Sequence, residues 1–419
     1  MTHRVSYWKT TAVALAIAVA SFAATLWSGQ QPIGPVLGAT LRALLALSFA
    51  SSFFIACGGL VCLWRDAREA AGRPDLFAAA ALRAPAERGF LRVALRALQG
   101  SKLRPGDLVR IKALPEIEST LDDHGTLDGL PFMPEMLALA GRTFRVHRRV
   151  DKINDMRHKT GLRRMRDTVT LVDVRCPGSH HGGCQAECQI LWKDVWLRRA
   201  NDPAPSAPHS DPSHSRRWIT ERDPGAADTA YVCQMTELWE ASQPMASADF
   251  RQDLRPLVSG NIGLGGFLLA ILTRIFNEAQ SRRGGSGYPF MPDSRSTGQT
   301  PSARLDLAVG EAVIVRSKEE LASTLRDGRN RGLWFDREMV RFCGRPARVR
   351  RQVDRVINEA TGKMAVMKTP CVVLEETIAT GEFLRFCPQH EYIFWREIWL
   401  RRAGTAVPLP RATDRGQAP

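Results

Sequence analysis

The run Cys176-Pro-Gly-Ser-His180-His181-Gly-Gly-Cys184-Gln-Ala-Glu-Cys188 places three thiols and two imidazoles within thirteen residues. Thiolate sulfur and imidazole nitrogen are donors that Zn2+ prefers, and the intervening Pro and Gly let a short loop bend around a tetrahedral ion. Cys176, Cys184 and Cys188 with either His180 or His181 make a Cys3His set. Such a set is closed to water, so the zinc expected here is structural rather than catalytic. The plainer reading is a group of unpaired thiols on a solvent-reachable loop.

A second site of this kind is poorly provided for. Of the three cysteines only Cys184 has a counterpart, Cys387, followed by Pro388, Gln389 and His390. Completing a site around Cys387 and His390 needs Cys343 and Cys371, which lie beside a turn and in an expected strand. A thiol packed in the core is the simpler reading of each. Two further pairs of polar residues recur: Glu135 and Glu338, each just after Gly-Leu-x-Phe, and Asp151 and Asp354, each in a basic strand. A general base needs a partner and a pocket. More often such a Glu caps a helix start or pairs with a nearby arginine, for which Arg145 and Arg348 are candidates. The sequence contains no phosphate-binding Gly-rich loop, no Gly-x-Ser-x-Gly elbow and no His-Glu-x-x-His helix.

Between Arg142 and Arg166 ten Arg or Lys face two Asp. On a hairpin, Arg145, Arg148, Arg149, Lys152, Arg163, Arg164 and Arg166 are expected to form a positive, anion-binding ribbon. Phe144 is its one aromatic residue, which argues against stacking on single-stranded nucleic acid. Anionic lipid is the better-suited partner, because a tethered basic face meets the membrane at high effective concentration.

These recurrences belong to a longer one. Leu103 to about Ala200 and Leu307 to about Ala403 repeat the same ordered set of segments. Gly106-Asp-Leu-Val-Arg-Ile-Lys112 matches Gly310-Glu-Ala-Val-Ile-Val-Arg316, and Ser119-Thr-Leu121 matches Ser323-Thr-Leu325. Gly141-Arg-Thr-Phe-Arg-Val146 matches Gly344-Arg-Pro-Ala-Arg-Val349. Both copies close on nearly one phrase, Trp192-Lys-Asp-Val-Trp-Leu-Arg-Arg-Ala200 and Trp395-Arg-Glu-Ile-Trp-Leu-Arg-Arg-Ala403. Chance does not preserve that order at a nearly constant offset. The alternating segments and turn residues predict short strands, with Lys159-Thr-Gly161 and Ala360-Thr-Gly362 as hairpin turns and brief helices near Glu116–Leu121 and Pro134–Leu139. Several strands in so short a module suggest a small, partly open, SH3-like barrel. The paired tryptophans are expected in its core.

The Phe-x-x-Glu-Met, Gly-Arg, Arg-Val and Trp-[Lys/Arg]-[Asp/Glu]-[Val/Ile]-Trp-Leu series resembles a family of uncharacterised bacterial proteins with a tandemly repeated module of about a hundred residues. The resemblance covers Leu103 to Ala403. It implies the module boundaries and the duplication, and it implies no activity.

Two uncharged runs precede the modules, Thr10–Trp27 and Ala43–Trp64. Their lengths suit a bilayer. Basic residues flank the outer ends and Trp8, Trp27 and Trp64 sit at run ends, so the positive-inside rule places both chain termini in the cytoplasm. A cleaved signal peptide is the alternative for the first run, and the second would still anchor the chain. The run around Phe267–Leu272 is too short to span and is expected to be a buried or interfacial helix.

The chain has 419 residues, a formal charge of +15 and nine cysteines, too few for a disulfide framework. The expected architecture is mixed: a transmembrane helical hairpin (10–64), a juxtamembrane amphipathic helix (65–101) and a mainly-β module (102–200). A connector with a helical segment near 229–283 (201–304), a second β module (305–403) and a disordered tail (404–419) follow. The reading that fits is a non-enzymatic scaffold of the bacterial inner membrane, holding a cytoplasmic protein partner, with zinc as its one expected cofactor. The alternatives are a membrane-bound enzyme with a site between the repeats and a nucleic-acid-binding protein.

Overall fold

Uninterrupted apolar sequence produces the first two elements, the helices Thr2–Ser28 and Pro35–Ala70. At 1.5 Å per residue each exceeds the ~30 Å of hydrocarbon in a bilayer. Among the described residues these are the two helices long and apolar enough to cross a membrane. They pack along one another, and a third helix, Leu264–Arg282, packs against the second. The third helix runs well beyond the Phe267–Leu272 core of the apolar run. It buries Phe267, Ala270, Thr273, Phe276 and Gln280 and leaves Leu264 and Leu268 exposed. Gly58 and Gly59 allow the close approach, since a Cβ at either would strike the Leu272 carbonyl or the Thr11 side chain. Polar contacts join the same helices: Thr10 Oγ1 donates to Gln280 Oε1 (2.7 Å), and an Arg65 N–H donates to Thr273 Oγ1 (3.0 Å). This helical unit takes in 1–83 and 262–291.

The computed structural model describes residues 2–28, 35–78, 102–155, 157–202, 218–222, 225, 229–246, 249 and 251–404. Of the expected juxtamembrane helix (65–101), residues 65–70 continue the second long helix and 79–101 lie outside the described residues, as do the linker residues 203–217 and the tail from 405.

The second unit, 84–261 with 292–419, is β-rich and contains both modules. In the first module five antiparallel strands run in the order Gln189–Lys193, Thr168–Arg175, Thr143–Arg149, Leu108–Ile111, Leu197–Arg199. The two outermost strands are joined only by the 3-10 turn Asp194–Trp196. Opposite edges of a five-stranded sheet linked by three residues must bend toward each other, and the sheet curls into a half-barrel. The second module has the same order, Tyr392–Arg396, Met364–Ile378, Pro346–Ile357, Ala312–Val315, Leu400–Arg402, with the turn Glu397–Trp399 between its edges. Registers correspond: Leu108 lies opposite Arg145, and Ala312 opposite Arg348.

Both cores centre on the expected tryptophans, all four fully buried. Phe132 meets Trp196 edge to face at 5.4 Å, and Phe335 meets Trp399 at 5.4 Å. A buried indole N–H needs an acceptor. Thr120 Oγ1 supplies it at 3.0 Å and Thr324 Oγ1 at 3.1 Å, which explains why Ser-Thr-Leu recurs.

The modules part company at the hairpin. In the second, strands run unbroken to the turn before Met364, with Gly362 at φ +73°. In the first, Lys152–Asp155 and Gly161–Arg164 form a separate sheet with Gln243–Pro244. The connector also departs from the expected 229–283 helix: helix occupies Arg251–Val258 and Leu264–Arg282, while 229–246 is turns, bridges and the short strand Gln243–Pro244. Gln234 gives the reason. Its side-chain oxygen accepts from Leu191 N–H (2.8 Å) and its amide donates to the Leu191 and Pro131 carbonyls (2.8 and 3.1 Å), sewing the segment to the first module's edge strand.

Candidate metal centre

Glu135 lies in the short helix Pro134–Leu137, which opens on a proline, and its side chain is fully enclosed. The cysteine loop leaves strand Thr168–Arg175 and is pinched at its neck, where Cys176 N–H donates to the Cys188 carbonyl at 2.9 Å. At Gly178 the chain doubles back with φ +72°, its α-carbon pressed against the Cys184 backbone where no Cβ fits. That turn leaves His180 exposed and sends His181 inward, so His181 is the imidazole that reaches the interior.

His181 Nδ1 stands 2.7 Å from Glu135 Oε1, and its Nε2 stands 3.0 Å from the Val232 carbonyl. His180 N–H also donates to Glu135 Oε1, at 3.0 Å. The ligating atoms of Glu135, Cys176 and His181 lie within 4.8 Å of one another, the one grouping of three or more such residues among the described residues. Beside it is a cavity of about 30 Å³, walled by Cys176, His181, Cys184, Cys188 and Cys233. It has room for one small ion or water.

The expected set is therefore redrawn. Cys176 and His181 belong to the grouping; Cys184 and Cys188 line the cavity outside it. Cys184 Sγ accepts from Ile357 N–H at 3.4 Å, because the loop is docked on the second module's strand. Gln185 strengthens that docking: its N–H donates to the Arg355 carbonyl (3.1 Å) and its Oε1 accepts from Asp354 N–H (2.7 Å). Glu135 stands out in the sequence only as a base or cap, not as a ligand; Cys233, which lines the cavity, does not stand out at all, since nothing in its spacing from the loop marks it.

Electrostatics at the centre follow from burial. It pushes the Cys176 thiol up to about 12, with the Glu135 charge adding to the rise, and the Cys233 thiol up to about 11. Cys188, beside Glu359 and Glu391, rises well above the ordinary thiol range. Burial alone would raise the Glu135 carboxyl too. The hydrogen bond and charge of His181, with the His180 N–H, outweigh it and hold that carboxyl below its usual value. Metal loading here would displace thiol protons and weaken in acid.

The second copy uses its shared glutamate differently. Glu338 Oε2 pairs with Arg341 at 2.6 Å and accepts from Thr380. Neither Glu pairs with the arginine expected for it: Arg145 and Arg348 instead donate to the Gly106 and Gly310 carbonyls, at 3.2 and 3.0 Å. Cys387 and His390 are buried and enter no ligand grouping; the Cys387 thiol donates to Gln389 Oε1 (3.1 Å), and His390 packs edge-on to His147 at 4.9 Å. Cys371 is core, with Arg396 3.3 Å from its sulfur.

Four of the seven ribbon cations are buried, and the surface they were expected to form is broken. Arg149 binds Asp151, Asp167 and Asp194 at 2.9 to 3.3 Å, Lys152 Nζ donates to the Gln252 carbonyl (2.6 Å), and Arg163 lies over Trp239 and donates to Ser242. Arg148 is enclosed too; burial lowers its guanidinium to about 10, against the charges of Glu338 and Cys387. Arg145, Arg164 and Arg166 remain exposed. Of the shared aspartates, Asp151 is Arg149's partner and Asp354 pairs with Arg355 at 3.3 Å.

No family model, curated protein or solved structure matches this chain.

Proposed function

We propose that this chain is a non-enzymatic binding protein anchored in the bacterial inner membrane, with two duplicated SH3-like modules displayed in the cytoplasm to hold a protein partner there. The two apolar helices form the anchoring hairpin, and a structural zinc ties the cysteine loop of the first module. One observation carries the reading: the recurring residues build the half-barrels. Trp, Phe and Thr fill and satisfy both cores, and the shared Glu fastens a loop in both. What the chain has kept twice is a scaffold.

A reporter active only outside the cytoplasm, fused after Ala200 or after Ala403, is expected to be silent at both points. Activity at both sinks the cytoplasmic placement, and activity at one alone requires a third crossing near Leu264–Arg282.

One feature favours the enzyme reading. A polar cavity of about 400 Å³ lies between Gln185 of the first module and Arg304, Gln352, Asp354 and Lys368 on the second module's side. Its size suits a small ligand. A metabolite that shifts the melting temperature of wild type but not of Lys368→Ala would move the assignment there.

A further inference from the structure

We infer that the metal of the first module is held by Glu135, Cys176, His181 and Cys233, a set drawn from three separate segments rather than from the cysteine loop alone. The inference rests on the structural-zinc reading above and changes its ligands. Two observations carry it.

The first is the ring of His181. A carbonyl only accepts, so Val232 fixes a proton on Nε2. Nδ1 then faces a carboxylate oxygen at 2.7 Å. Two acceptors at that distance repel unless a proton or a metal cation lies between them. The second Glu135 oxygen, Oε2, is buried with no hydrogen-bond partner. An unsatisfied carboxylate oxygen is costly inside a protein, and a cation beside Cys176 satisfies it together with Nδ1.

The second observation is the other module. There the matching glutamate, Glu338, has Arg341 as its fixed cation. Ala138 stands at that position in the first module, between the same flanking segments. Its buried carboxylate takes its positive charge from elsewhere. Zn2+ at the Glu135–Cys176–His181 grouping supplies it, and a fourth donor completes the tetrahedron. Of the other thiols around the cavity, Cys184 faces the second module's strand at Ile357 and Cys188 lies by two carboxylates, whereas Cys233 is held by donors of its own segment, Thr236 and Met235. Cys233 follows Val232, the residue that orients the His181 ring. Zinc entry displaces the protons of two thiols, Cys176 and Cys233, with no change of oxidation state. Metal then fastens the 229–246 segment to the first module.

Full-length protein, purified in detergent without chelator, is expected to carry about one zinc per chain. X-ray absorption at the zinc edge should fit two sulfur and two nitrogen or oxygen neighbours. Glu135→Gln and Cys233→Ser should lose the metal; Cys184→Ser and Cys188→Ser should keep it. Three sulfur neighbours, with Cys184→Ser or Cys188→Ser losing zinc and Cys233→Ser retaining it, overturn this ligand set while leaving structural zinc in place. Metal-free wild type overturns both. The absorption measurement needs no variant, so a misfolded mutant does not blur the outcome.

Discussion

The loop Cys176–Cys188 and its counterpart Ala379–Glu391 are folded alike and filled differently. In the first, His181 and Gly183 N–H both donate to the Gly178 carbonyl and Cys184 N–H donates to the His181 carbonyl. In the second, Leu384, Phe386 and Cys387 repeat those bonds to Gly381 and Leu384. Gly381, like Gly178, has positive φ and presses against the backbone of its loop's cysteine. Each loop is fastened by one buried glutamate. What differs is that glutamate's partner: a permanent guanidinium in the second module, an imidazole beside thiols in the first. The backbone of such a loop can thus be preserved while its chemistry is replaced, provided a cation is supplied.

The largest effect expected from that difference is at Glu338. Glu338→Ala leaves Arg341 buried without its partner, and an arginine cannot shed its proton. Losing one member of a buried pair costs ~3–5 kcal/mol. Glu135→Ala in metal-free protein should cost clearly less, since it leaves no permanent guanidinium buried without its partner. Hydrogen exchange, read separately over the two modules, measures both. Equal losses would mean that the kind of counter-charge does not matter.

Next comes a graft. Ala138→Arg with His181→Leu gives the first loop the second loop's pair. The fold should persist and zinc loading should vanish. Wild type should gain ~4 kcal/mol when free zinc reaches about a thousand times its dissociation constant, and the graft should gain nothing. A graft that still responds to zinc breaks the comparison.

Much of the scaffold was legible in the sequence because it is local or periodic. The apolar runs became long helices, the Trp phrases became core, and the Gly-Arg and Arg-Val segments lie in or beside paired strands. The site was half legible. Cys176 and His181 announced themselves by crowding, whereas Glu135 joins them only through tertiary contacts that no spacing rule contains. The basic ribbon failed for a related reason. Sequence records the charge of Arg149 and Lys152 but not Asp194 or the Gln252 carbonyl that draws each inside.

A smaller effect separates the modules by pH. Burial pushes the Glu359 carboxyl, in the second module's hairpin turn, up to about 8, with the Glu391 charge adding to the rise. A carboxyl raised above its unfolded value of ~4.3 binds more protons in the folded state. Its stabilising contribution is complete below that value and is lost as pH climbs through about 8. Glu359→Gln should flatten the fall in urea midpoint between pH 5 and pH 8; a wild-type midpoint that does not fall over that range sinks the idea.

The smallest effect concerns the opposite end of the pH scale and the first module's own hairpin. Asp155 ends the strand Lys152–Asp155 and organises the turn after it, accepting from the N–H groups of Arg157, His158 and Thr160 and from the Thr160 hydroxyl at 2.7 to 3.0 Å. Burial by itself would raise this carboxyl. The bonds from His158, Thr160 and Arg157 overcome it and bring it down to about 2. With the folded value below the unfolded ~3.9, the stabilisation is present above that pH and fades as pH falls toward 2. The second module has Asn358 at the matching strand end, a neutral side chain whose oxygen accepts from Ala360 N–H at 3.0 Å. Asp155→Asn therefore makes the first turn resemble the second. The amide keeps one acceptor oxygen and points an NH2 at donors the carboxylate had satisfied, a loss of ~1–2 kcal/mol at neutral pH. At pH 2.5 the gap between variant and wild type should shrink, because the wild-type carboxyl is by then partly protonated and has lost part of its advantage. A difference that stays constant from pH 7 to pH 2.5 would show that the turn draws its stability from shape and not from the carboxylate's charge.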